Sequence, residues 1–113
     1  MITRKQERQT QRREAMRGGN GAALLTPASK ELPANARLFS EIRLAPGASI
    51  GYHVHENETE LFLFLEGEGR VMDDETEVLV HPGDSMATFS GHGHSVESVG
   101  DTDLVLVAVI VKD

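Results

Sequence analysis

The stretch Gly47-Ala48-Ser49-Ile50-Gly51-Tyr52-His53-Val54-His55-Glu56-Asn57-Glu58-Thr59-Glu60-Leu61-Phe62-Leu63-Phe64-Leu65-Glu66-Gly67 decides how this chain folds. It begins and ends on glycine. Its first half reads as a strand over 50–55, carrying two imidazoles at i and i+2, His53 and His55. Same-face residues of a strand lie about 6.6 Å apart at Cα, near enough for both side chains to converge on one ion. The polar run Glu56-Asn57-Glu58-Thr59 is a turn, with Glu56 and Glu58 read as solvated loop acids. Glu60 opens the next strand, and a hairpin of this length returns it beside the two histidines. From Glu60 to Glu66 the strand is apolar on both faces, with Phe62 and Phe64 opposite Leu61, Leu63 and Leu65. A strand apolar on both sides is covered on both sides.

The same texture continues on either side. Short apolar or alternating runs recur between turns rich in Gly, Pro, Asp and Asn, the pattern of an all-β sandwich or barrel. Strands are read at 22–25, 38–44, 50–55, 60–66, 70–72, 77–80, 85–89, 94–98 and 104–110. In the second, Leu38, Ser40, Ile42 and Leu44 face one way and Phe39, Glu41 and Arg43 the other. The run Leu104 to Val111 is again apolar on both faces. The outer cover of a one-domain barrel comes from another layer or another subunit, so a homodimer is expected. Residues 22–113 are accordingly read as one β-barrel domain.

Residues 1–21 differ. Gln, Arg and Glu dominate up to Arg17, favouring a basic helix or arm, and Gly18-Gly19-Asn20-Gly21 breaks it. Arg4, Lys5, Arg8, Arg12, Arg13 and Arg17 against Glu7 and Glu14 give this segment a net charge of +4, so the total of −7 leaves −11 on the rest. An acidic body of that kind repels nucleic acid and anionic membrane, and neither is expected as a partner. The arm has too little apolar surface for a membrane-bound helix, and its charge is expected to lie against the acidic body of its own or a neighbouring subunit. With 113 residues there is room for one core, and the absence of cysteine excludes disulfides, thiolate nucleophiles and Cys-based metal sites. The longest apolar run is of strand length, and no apolar leader precedes the arm, so a cytoplasmic location is expected.

A metal site must then be built from His, Asp or Glu. His94, on a later strand, reaches His53, His55 and Glu60 only if the sheet closes back on itself as a barrel does. Three neutral imidazoles and one carboxylate suit a divalent first-row metal and leave positions for water or a ligand. With such an ion the set keeps a net charge near +1, which favours an anionic or enolisable ligand. Phe62 shares the face of Glu60 and is expected to line the cavity, Phe64 to belong to the core. His92, in a turn, is a candidate for the lining. Tyr52 points away from the histidines, and His81 is expected in water.

At this point a family comes into view. Gly47-x5-His53-x-His55-x4-Glu60-x6-Gly67 resembles the first motif of the cupin superfamily, and Gly83-x5-Phe89-x-Gly91-x2-His94-x3-Ser98 the second. Phe89 stands where cupins usually carry Pro, and Ser98 where they usually carry Asn. The two departures touch turn shape and pocket lining, and Ser98 joins Phe62 and His92 as a candidate lining residue. The resemblance implies an antiparallel double-stranded β-helix, the jelly-roll barrel, usually dimeric, with one metal (Fe, Mn, Ni, Zn or Cu) in the barrel mouth on His53, His55, Glu60 and His94. Small cupins often exchange an N-terminal strand between subunits, and 22–25 is the candidate.

The function expected is that of a small metalloenzyme, an oxygenase, decarboxylase, isomerase or lyase, acting on a small organic acid or similar oxygen-bearing compound. The alternative is a small-ligand-binding or sensor barrel, since this fold hosts both. The Phe-rich lining and the lack of an evident cavity arginine suggest a partly apolar ligand. Arg43 is the nearest exception.

Overall fold

A computed structural model describes residues 1–113 and contains ten strands and no α-helix. They are β1 (Gln11–Glu14), β2 (Ala22–Pro27), β3 (Ala36–Leu44), β4 (Ser49–Val54), β5 (Glu58–Glu66), β6 (Gly69–Asp73), β7 (Thr76–Val80), β8 (Ser85–Thr88), β9 (Gly93–Ser98) and β10 (Leu104–Lys112). Two antiparallel sheets face each other, one in the order β1-β2-β3-β10-β5-β8, the other β4-β9-β6-β7. Consecutive strands β3, β4 and β5 alternate between sheets, so the chain winds as a double-stranded β-helix. This is the all-β barrel expected from the residue pattern, with the jelly-roll connectivity that the resemblance implied.

The core lies between the sheets and follows the period of two. Ile42 and Leu44 of β3, Phe62 and Phe64 of β5, Val71, Val96 and the alternate β10 residues Leu104, Leu106 and Ala108 all point inward and are buried. Ser40 continues that inward face, and its hydroxyl, buried among them, donates to the carbonyl of Glu41.

Two departures from regularity position the site. In β4 the pairing with β9 shifts between Ile50↔Val96 and His53↔His94, placing one extra residue in β4. Such a bulge flips the side-chain parity of the residues beyond it. Ile50 and His53, of opposite parity in a regular strand, therefore both face the interior while Tyr52 is turned out. The second departure corrects the helical reading of the arm. Residues 11–14 are extended and pair with β2, from Gln11↔Leu25 to Glu14↔Ala22. Only 3₁₀ turns, at Lys5–Glu7 and Met16–Gly18, are helical there. Helix-forming side chains lose here to tertiary context: Gly18 and Gly21, both with positive φ, reverse the chain and lay it along a free sheet edge.

β2, the candidate for exchange, lies on β3 of its own chain. β8 stops at Thr88, leaving Phe89 outside the strand and exposed.

Candidate metal centre

His53 is aimed inward by the β4 bulge. His55 follows the strand end and is held by backbone bonds to the next loop, its N–H donating to His92 O and its carbonyl accepting from Gly91 N. Glu60 projects from β5 between its partners Thr88 and Ile110, and His94 from β9 opposite His53. The four side chains converge so that one ligand atom from each lies within 4.8 Å of all the others. Glu60 Oε1 is 3.0 Å from both His55 Nε2 and His94 Nε2, and those two nitrogens are 3.1 Å apart. Glu60, His55 and His94 are almost wholly buried.

The outer ring nitrogens decide what this cluster accepts. His53 Nδ1 donates to the carbonyl of Gly51 at 2.8 Å. His55 Nδ1 donates to Glu58 Oε2 at 2.7 Å, and Arg37 grips both oxygens of that carboxylate at 2.8 and 2.7 Å. The Arg37 guanidinium, with His55 second, holds the Glu58 carboxyl down at about 2, so it is ionised and acts as acceptor only. His94 Nδ1 lies 2.8 Å from the Thr88 hydroxyl, a group able to accept a hydrogen bond in the same way. With the protons on Nδ1, the Nε2 lone pairs turn inward toward a carboxylate. Acceptors 3 Å apart repel unless a cation lies among them, and neutral imidazoles fixed through Nδ1 are the form that ligates metals. Burial also pushes the His53 imidazole below its ordinary value, favouring that neutral form. The donor set thus fits a divalent ion.

A cavity of about 270 Å³ opens onto the cluster. Leu25, Leu38, Ile42, Ile50, Val96 and Ile110 form its apolar wall, and Phe62 lies flat on His94 with ring centroids 4.9 Å apart. Its polar wall is basic: Arg13 and Arg17 come from the N-terminal segment and Arg37 from β3. This corrects the expectation of a cavity without arginine. Arg43 is not among them; it points outward, pairing with Asp103 at 3.3 Å and Glu41 at 3.6 Å.

Of the candidate lining residues, Phe62 lies where the sequence placed it and Phe64 is core. His92 does not reach the cavity. It is exposed and 2.6 Å from Asp74, whose other oxygen accepts from Gly93 N, and that carboxyl is held below its ordinary value mainly by this backbone donor. Ser98 is buried at the far end of β9, outside the cavity, its hydroxyl without a hydrogen-bond partner. His81 is exposed beside Asp84, and the exposed Tyr52 packs over Gly93. Glu58 proves not to be a solvated loop acid, whereas Glu56 is one. Sequence reasoning missed Arg13, Arg17, Arg37, Glu58 and Thr88. The only signal for Glu58 was its spacing of three from His55.

A two-sheet antiparallel barrel with a buried His/Glu cluster at its open end defines a class of small barrel proteins able to hold a metal ion. The chain belongs to the cupin family: residues 40–110 match the Cupin domain. It is 42% identical over 113 residues to an oxalate-binding protein of Thermotoga maritima, covering 98% of this chain and 93% of that protein. A crystal structure of a predicted oxalate decarboxylase from the same organism superposes with a TM-score of 0.92 at 38% identity, over 100% of both chains. A Thermus thermophilus protein follows at TM-score 0.69 and 27% identity, covering 78% of this chain and 81% of its own. No helix is long and apolar enough to cross a membrane.

Proposed function

We propose that this protein binds a small dicarboxylate of the oxalate class through one divalent transition metal held by His53, His55, Glu60 and His94. The observation that carries the reading is the convergence of Nε2 lone pairs on Glu60 beneath a cavity walled by three arginines. A bound divalent ion supplies a Lewis-acidic site for carboxylate oxygens. The chain's own groups do the rest. The apolar wall and the Phe62 ring exclude water and strengthen the field of the charged groups. Arg37 keeps Glu58 ionised and His55 in its ligating tautomer. The oxalate-binding name of the Thermotoga relative agrees with this charge pattern. The metal is one of Fe, Mn, Ni, Zn or Cu.

The second reading, a decarboxylase or related metalloenzyme, is favoured by the description of the similar Thermotoga structure. Proton delivery to a reacting carbon requires an acid at the cavity. The groups that join the metal set there are guanidiniums, and Glu58 beside it is engaged by Arg37 and His55. Binding therefore ranks first.

The test is elemental analysis of untagged protein followed by calorimetric titration of the metal-loaded form with oxalate. About one metal per chain, lost in a His53→Ala/His94→Ala variant, with saturable oxalate binding, is expected. Oxalate that binds equally well to metal-free protein would sink the proposal. Carbon dioxide release from oxalate would promote the enzyme reading.

A further inference from the structure

Residues 11–18 form a strap over the cavity mouth, built from β1 and the 3₁₀ turn at Met16–Gly18. It is fixed to β4 by backbone contact. A methyl group built on Gly51 would overlap the carbonyl oxygen of Arg17, and one on Gly19 would overlap that of Ser49. Ser49 N donates to Asn20 O, Ala15 N to Gly21 O, and Asn20 N to the Ser49 hydroxyl, each at 2.8 or 2.9 Å. Arg17 is thereby pinned against Gly51, whose own carbonyl takes the His53 Nδ1 proton. Ala15 and Arg17 both adopt left-handed backbone conformations, with φ of 48° and 55°. That conformation is uncommon outside glycine and persists where surrounding contacts enforce it.

The guanidinium that this arrangement delivers is uncommitted. Arg37 is gripped by Glu58, Arg12 pairs with Glu14, Arg43 with Asp103 and Arg70 with Glu97, whereas Arg17 makes no ion pair and no side-chain hydrogen bond. Arg13 beside it donates to Gln11 along the strand. Charge points the same way. A divalent ion on three neutral imidazoles and Glu60 leaves +1, enough for a monoanion. Arg37 is offset by Glu58, whereas Arg17, with Arg13 beside it on neutral Gln11, adds the positive charge a second carboxylate needs, and the planar fork of Arg17 suits the carboxylate oxygens that a metal leaves free.

Resting on the dicarboxylate reading above, we propose that Arg17 is the residue by which this site distinguishes dicarboxylates from monocarboxylates. It binds the oxygens of the ligand that point away from the metal, and the strap exists to hold it there.

The test is calorimetric titration of manganese-loaded wild type, Arg17→Gln, Arg17→Lys and Arg12→Gln with oxalate, malonate and acetate, after measuring Mn²⁺ affinity for each. Arg17→Gln is expected to weaken oxalate and malonate by roughly 10- to 100-fold, the worth of a lost charge-assisted pair. Acetate and Mn²⁺ affinity should stay within about twofold in that variant. Arg17→Lys should fall between, because a point charge replaces the fork. Arg12→Gln, on the same strand but away from the cavity, should match wild type. Unchanged oxalate affinity in Arg17→Gln, or equal losses for oxalate and acetate, overturns the assignment while leaving the dicarboxylate reading standing. Wild type that binds neither oxalate nor malonate overturns both.

Discussion

At the level of single residues, the informative atoms are the nitrogens that face away from the cluster. A histidine can coordinate only if its other nitrogen has somewhere to place its proton, and His55 depends for this on Glu58, 2.7 Å away and held in turn by Arg37. Removing such a partner commonly lowers metal affinity by about 10- to 100-fold without touching a ligand. Glu58→Ala is therefore expected to weaken metal binding by about that factor in a competition titration against a chromophoric chelator. His94→Ala, which removes a ligand, should leave no stoichiometric binding. Wild-type affinity in Glu58→Ala would mean that the Arg37–Glu58 pair serves only the surface of the barrel. The four clustered residues were legible in the sequence because their spacing along two strands is itself the geometry of convergence. Glu58 and Arg37 were not, because what gives them a role is a contact between the start of β3 and the start of β5, 21 residues apart. Arg17 was hidden for a related reason: nothing local distinguishes it from its five basic neighbours.

Among elements, the strap and β4 illustrate where pattern reading stops. Short apolar or alternating runs bounded by turns located nine of the ten strands, β2 to β10. The tenth, β1, has no buried apolar face; its four residues are polar and exposed, so periodicity had nothing to detect. Its strand character comes from the neighbour it pairs with, and the glycines at 18, 19 and 21, read as a break, act as a reversal. The same contact makes Gly51 more than a strand residue. Gly51→Ala should push the Arg17 carbonyl off β4 and free the strap, because the obstruction is backbone and cannot rotate away. Trypsin cleavage at Arg13 and Arg17, which requires an extended, detached segment, is expected to accelerate at least fivefold, by the order of a 1 kcal/mol change in local opening. Far-ultraviolet dichroism should keep its β-sheet form. Equal cleavage rates in the variant and wild type would show that the hydrogen bonds from residues 15, 20 and 49 suffice to hold the strap.

For the whole molecule, the outer face of the six-stranded sheet calls for a cover. Phe39, Leu61, Leu63 and Leu65 are 39%, 42%, 45% and 45% exposed, and Val107 and Val109 lie between them on β10, which pairs with both β3 and β5. These six form one contiguous apolar surface rather than scattered exposed residues, and patches of that kind mark association sites. A second copy is the occupant that fits. The face is central in the sheet, on β3, β10 and β5, and a two-fold pairing would cover the same apolar residues of both copies at once. Two such faces packed together would lie about 10 Å apart, as inner sheet faces do, and stable interfaces of this type need about 800 Å² from each partner. Light scattering coupled to size exclusion should therefore return about twice the chain mass of 12.3 kDa. Leu63→Lys puts a charge at the centre of the patch, where a buried unpaired ammonium costs several kcal/mol, and should give the single-chain mass. Because Leu63 faces away from the barrel interior, the variant should retain its metal, so that loss of the dimer and loss of the fold can be told apart. A wild type that runs at 12.3 kDa would mean that the patch stays open to water and that each barrel works alone.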